Sequence, residues 1–241
     1  MRRCLRGGAG ALLLVAGLAA AAEALKPEVG YRVVPADYGI LCEEVTLTTA
    51  DSLALRGWFF PAQDTAGIAN EMVGRVIPVP PERRPAPRPY RPADAPPGPA
   101  VILCDGDAGN MAYAILYAYE LFTRGFHVLT FDWRGFGESD PWPMEQDRLV
   151  CSEFLTDYDA AIDHVKSRPE VDPQAIGLLG FSTGAYLSLA AAAGGRDVSA
   201  LVGRAMITSF DDLLPILAEL DPQRPWRAPE DYPRDLLPIH A

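Results

Sequence analysis

Residues 175–190 read AIGLLGFSTGAYLSLA. An apolar run leads into Gly180-Phe181-Ser182-Thr183-Gly184, and an Ala/Leu-rich helical pattern follows. A buried strand that turns sharply into a helix leaves one residue standing at the bend, here Ser182. Gly180 and Gly184 carry no side chains, so strand and helix can approach closely around it. G-x-S-x-G between an apolar strand and a small-residue helix is the arrangement that holds a serine hydroxyl outward as a nucleophile. Ser182 is therefore the candidate reactive residue.

The neighbouring stretches repeat the same alternation. Ala100–Cys104 (AVILC) is a short apolar run suited to a buried parallel strand. A loop Asp105–Asn110 follows, then a helix over about 111–124 ended by Gly125. Phe126–Phe131 is the next strand, closed by the glycine-rich turn DWRGFGES at 132–139. The spacing of Phe154, Tyr158, Ala161, Ile162 and Val165 predicts a helix over 151–167, stopped by Arg168-Pro169. Strand 175–179, the Ser182 bend, a helix to about Ala193 and a strand over 199–207 complete the series. Upstream, EEVTLTTADSLALRGWFF at 43–60 reads as a hairpin around Asp51-Ser52. Alternating strands and helices give a mostly parallel sheet with helices on both faces, preceded by the antiparallel hairpin. Ligands of such sheets sit beyond the carboxyl ends of the strands. Asp105–Asn110, Asp132–Asp140, Ser182 and Ser209–Asp212 all lie at those ends and should crowd one crevice.

The ends and the insertion carry other signals. Arg2, Arg3 and Arg6 precede an apolar stretch from Gly10 to Ala22, and Ala22-Glu23-Ala24 fits a small-x-small cleavage site. Residues 1–24 read as an export signal, or alternatively as an uncleaved membrane anchor, and the remainder, 25–241, as one domain. The expected location is exported, periplasmic or extracellular. Cys42, Cys104 and Cys151 would remain in an oxidising compartment, an odd number that leaves their pairing open. Residues 62–99 interrupt the domain, with ten prolines between Pro78 and Pro99 and Arg83, Arg84, Arg88 and Arg91 among them. They read as a solvated surface insertion, or as a basic docking arm for a partner or the cell envelope. The net charge of −11, with Lys26 and Lys166 the only lysines, excludes a general nucleic-acid binder. No His/Cys spacing suggests a metal, and no cofactor is implied.

The chain resembles the α/β-hydrolase family, especially its serine esterase and peptidase-like branch. The hairpin, the DGDAGN loop, the FDWRGFGES turn and GFSTG carry the likeness over about 43–212. The resemblance implies an α/β-hydrolase fold and hydrolysis of an ester, thioester or amide bond in a small-molecule or peptide substrate through an acyl-Ser182 intermediate. It also implies that the backbone N–H groups of Asp107 and Thr183 form the oxyanion hole, and that Arg134 braces its loop. Asp105 stands where the family commonly has His, and reads as another loop brace.

In this family the acid and then the base follow the nucleophile. His127 and His164 precede Ser182 and read as structural. His240 is the one histidine after it and the candidate base. Asp211, beside Asp212 after the last strand, is the candidate acid. The residues after Ser182 are too few for the remaining βα units, so the sequence predicts a sheet with its last strands missing and weak or no turnover from this chain alone. The competing reading is a non-catalytic binding protein on the same scaffold.

Overall fold

The computed structural model describes residues 25–64, 82, 88–89, 94–144, 152–223 and 226–227. Strand β1 (Glu43–Thr48) and β2 (Ala54–Phe60) form the expected hairpin, pairing Glu43 with Phe59 and Thr48 with Ala54. Val45 and Leu47 point into the core while Glu44 and Thr46 face solvent, the period-2 signature of a sheet with one wet face. Thr49 closes the turn, its Oγ1 accepting from the Leu53 amide and donating to Asp51 Oδ1.

Next come β3 (Gly98–Cys104), helix α1 (Ile115–Phe122), β4 (His127–Phe131), helix α2 (Phe154–Lys166), β5 (Val171–Phe181), helix α3 (Thr183–Ala193), β6 (Ala200–Arg204) and helix α4 (Phe210–Leu220). The sheet order is β6-β5-β3-β4-β2-β1. β6, β5, β3 and β4 run parallel, and β2 joins β4 antiparallel. The main sheet thus has six strands among the described residues, in an α/β-hydrolase arrangement with no strand beyond β6 among them.

Alternate residues of the central strands feed two cores. Ile102, Leu129, Ile176 and Leu178 join Phe154, Tyr158, Ile162 and Leu187 on the face covered by α2 and α3. Leu103, Val128, Trp58 and Phe60 join Ile115, Tyr119 and Phe122 on the α1 face. Burial on both faces is why these strands read as continuous apolar runs rather than alternating ones.

Several boundaries differ from expectation. The 111–124 helix begins as a 3-10 turn, Met111–Ala114, because the Asn110 side chain accepts from Ala112 N and caps it; the α-helix proper runs Ile115–Phe122. β3 starts at Gly98, with an irregularity between Gly98 and Ala100 that accommodates Pro99. β5 begins at Val171 rather than Ala175, since Val171 pairs with Gly98. β6 stops at Arg204, three residues short of the expected end. Ala205 takes φ +52 and turns the chain out of the sheet. Within the insertion Gln63–Asp64 pairs antiparallel with Arg88–Pro89; most of residues 65–93, residues 1–24 and Cys151 lie outside the described residues.

Candidate active site

Ser182 sits between β5 and α3 with φ +53 and ψ −122. This is a backbone conformation that L-residues avoid and that surrounding structure must impose. Three bonds impose it. The Ser182 amide donates to Arg204 O at 2.8 Å, and its carbonyl accepts from Ala185 N at 3.0 Å and Tyr186 N at 3.2 Å. The two motif glycines have a steric reason. A side-chain carbon at Gly180 would lie 2.4 Å from Ala185 Cα, and one at Gly184 would lie 2.0 Å from the Asp105 carbonyl oxygen. The Gly184 carbonyl is also held from the side, accepting from Tyr158 Oη at 2.9 Å and Ser188 Oγ at 2.6 Å.

The Asp105–Asn110 loop runs against this bend. A carbon added at Gly106 would contact Ser182 Cβ at 3.5 Å, so nothing separates the loop from the candidate nucleophile. Asp107, Ser182 and Thr183 line one cavity of about 390 Å³. Its far wall comes from Met206, Ile207, Leu213, Ile216 and Leu217, the loop after β6 and one side of α4. The Thr183 N–H opens α3 and has no acceptor within the helix, and Thr183 lines the same cavity as Ser182. A second cavity of about 350 Å³ lies on the α1 side of the sheet, between Leu179, Phe181, Tyr117 and Arg204.

Asp105 does brace its loop, with Oδ1 accepting from Gly106 N at 2.9 Å. Its Oδ2 is buried without a hydrogen-bond partner among the described residues. Burial pushes this carboxyl up to about 6; the Gly106 N–H opposes the rise and the Asp107 charge adds to it. Arg134 is fully buried. Its Nε and main-chain N–H donate to the two oxygens of Asp157 at 2.9 Å each, and a terminal nitrogen reaches Asp51 Oδ2 at 2.7 Å. Burial alone would lower its pKa, but the bonds to Asp157 and Asp51 outweigh that and raise it. It ties the glycine-rich turn to the hairpin and to α2, as a brace should. Asp132, at the start of that turn, accepts from Met111 N and from Tyr31 Oη, both at 2.6 Å.

Of the acid and base candidates, only Asp211 lies among the described residues. Asp211 is exposed in the first turn of α4 and does not line the Ser182 cavity, whereas Asp212 does. The Asp212 amide is capped by Ser209 Oγ at 3.2 Å. His127 lies at the opposite end of the sheet, paired with Ala100, its Nδ1 accepting from Ala62 N at 3.3 Å. His164 is on α2, where burial and then Arg168 lower its pKa. Among the described residues no histidine lines the Ser182 cavity; His240 lies outside them. Sequence reasoning missed Tyr158, Ser188 and the segment Leu25–Tyr31. The first two are ordinary helix residues by pattern, and the third carries no periodicity that would mark it.

A family model described as "Serine aminopeptidase, S33" matches residues 95–219. Among curated proteins, the uncharacterized protein Rv2307c of Mycobacterium tuberculosis is 29% identical over 170 residues, covering 70% of this chain and 47% of that protein. The uncharacterized protein YfhR of Salmonella typhi is 32% identical over 161 residues, covering 67% of this chain and 42% of that one. The chain therefore spans less than half the length of these relatives. Among solved structures, the esterase Pf2001 of Pyrococcus furiosus superposes with a TM-score of 0.54 at 20% identity, over 78% of this chain and 57% of that one. At that identity the likeness is one of fold.

Proposed function

The chain belongs to the serine aminopeptidase S33 family of α/β-hydrolases, and on that premise we propose that it carries the nucleophile and oxyanion hole of a serine hydrolase. The substrates are small-molecule or peptide esters, thioesters or amides. Ser182 Oγ attacks the carbonyl carbon while its proton passes to a base. The resulting oxyanion takes the N–H groups of Asp107 and Thr183. The leaving group departs with the proton, and water then cleaves the acyl–Ser182 ester. Two fixed donors aimed at the developing charge contribute about 3–4 kcal/mol each to such a transition state. The observation that carries this reading is the backbone of Ser182, held at φ +53 at the mouth of a cavity it shares with Asp107 and Thr183.

A serine hydroxyl is a weak nucleophile without a partner base. His240 and Asp211 remain the sequence's candidates for base and acid, and Asp212 is the carboxylate that lines the cavity. A fluorophosphonate probe tests the assignment: it should label the wild type at Ser182 and leave Ser182→Ala unlabelled. Equal labelling of both eliminates Ser182 as the nucleophile. A second reading, a binding protein on a hydrolase scaffold, draws support from Asp105 at the family's histidine position and from the cavity's lack of a described histidine. Full folding without any labelling of the wild type favours it.

A further inference from the structure

The segment Leu25–Tyr31 lies directly on the candidate oxyanion loop. Lys26 N donates to Asp107 O at 2.7 Å, and Glu28 N donates to Gly109 O at 2.9 Å. Lys26 pairs with Ala108 and Pro27 with Gly109 as a short parallel ladder. Side chains of the loop return the contact. Asn110 Nδ2 donates to Gly30 O at 2.6 Å and Glu28 O at 3.2 Å, and Tyr113 Oη donates to Glu28 Oε1 at 3.1 Å. The same segment holds the glycine-rich turn. Gly137 N donates to Glu28 O at 3.1 Å, and Tyr31 Oη donates to Asp132 Oδ2 at 2.6 Å. Its first residue, Leu25, is buried in the core under α2 and α3.

We infer that residues 25–31 form a positioning strap whose Lys26 N–H, by fixing the Asp107 carbonyl, holds the Asp107 amide in register with Ser182. The bond acts on the peptide unit that follows Asp107 and so fixes the torsion on the far side of the donor residue. Oxyanion donors work only when preorganised within about 2.7–3.1 Å of the place the oxygen will occupy. A loop held by α1 and β3 alone would have to find that position at each turnover. The strap is not catalytic, since it touches no reacting atom. It sets the rate through Asp107, and in that respect the inference rests on the hydrolase reading above.

The test compares Lys26→Pro, which removes the N–H, with Lys26→Ala, which removes the charge and keeps it. Proline suits the extended segment, where Pro27 already follows. Two readouts are taken on the full chain: the rate and half-saturation of fluorophosphonate labelling at Ser182, and hydrogen exchange of the amides at 105–110. Lys26→Pro should cut the limiting labelling rate by on the order of tenfold, a fraction of what complete loss of a donor costs, with half-saturation unchanged and loop exchange accelerated. Lys26→Ala should match the wild type in both. A Lys26→Pro limiting rate equal to wild type overturns the strap. Where the wild type itself does not label, the hydrolase reading is what fails. Exchange then decides the strap: faster in Lys26→Pro upholds the clamp on the loop, and unchanged exchange overturns it.

Discussion

At the scale of single residues, Asp105 and Arg134 show how two buried charges near one site can have opposite consequences. Arg134 has both carboxylate partners in reach and stays ionised. Asp105 has one N–H for two oxygens, and its neighbours Asp107 and Asp132 are acidic too. Its carboxyl is raised from 3.8 to about 6. A carboxyl raised on folding stabilises the protein below its unfolded pKa, and that contribution disappears as pH rises through the folded value. Asp105→Asn should therefore match the wild type near pH 4. At pH 8 it should be more stable by about 1–3 kcal/mol, the equivalent of one to two pKa units. Urea denaturation of both proteins at the two pH values measures this; a stability gap that is the same at pH 4 and pH 8 contradicts it. Asp105 was recognisable in the sequence as a departure from the family's histidine. Its orphaned Oδ2 was not, because that depends on which groups the folded loop fails to bring near.

At the scale of elements, the strand–helix junction was the most legible part of the chain. β3, β4 and the centre of β5 are apolar because both their faces are covered, and Gly180 and Gly184 mark where α3 presses against the sheet. The first residues of β5 were illegible, since Asp172, Pro173 and Gln174 read as loop while Val171 is recruited by pairing with Gly98. Leu25–Tyr31 was illegible for a related reason: a two-residue ladder has too few side chains to show a period. The glycines permit a sharp contrast. An alanine at Gly184 would set its Cβ 2.0 Å from one backbone carbonyl oxygen and 2.5 Å from another, while at Gly177 the nearest atom is 3.6 Å away. Gly184→Ala should cost at least about 3 kcal/mol or abolish folding, at or beyond the upper end of overpacking penalties. Gly177→Ala should stay within about 1 kcal/mol of wild type, with any gain coming from the lost freedom of glycine in the unfolded chain. Thermal melts of the two variants read the difference directly, and equal melting temperatures would contradict the close approach of α3 to β3.

At the scale of the whole molecule, the two faces of the sheet are unequally covered. α2 and α3 extend across one face as far as β6, but on the other α1 packs mainly against β4 and β3. Val202 and Phe181 consequently stand 58% and 44% exposed. Arg204 gives partial shelter, its guanidinium 5.7 Å from the Phe181 ring and its N–H on Tyr117 Oη at 2.5 Å. The outer edge of β6 pairs with no strand among the described residues. Apolar side chains beside an open row of backbone donors and acceptors favour edge-to-edge association. The net charge of −11 opposes contact between copies only at long range, and salt screens it beyond about 8–10 Å. Self-association of this chain should therefore strengthen with added salt. Val202→Lys places a charge on that edge, the device native edge strands use against pairing, and should leave the fold within about 0.5 kcal/mol of wild type. Sedimentation velocity at low and high salt separates the outcomes: the wild type should gain mass with salt and concentration while Val202→Lys stays monomeric. A wild type that remains monomeric throughout would contradict association through this edge.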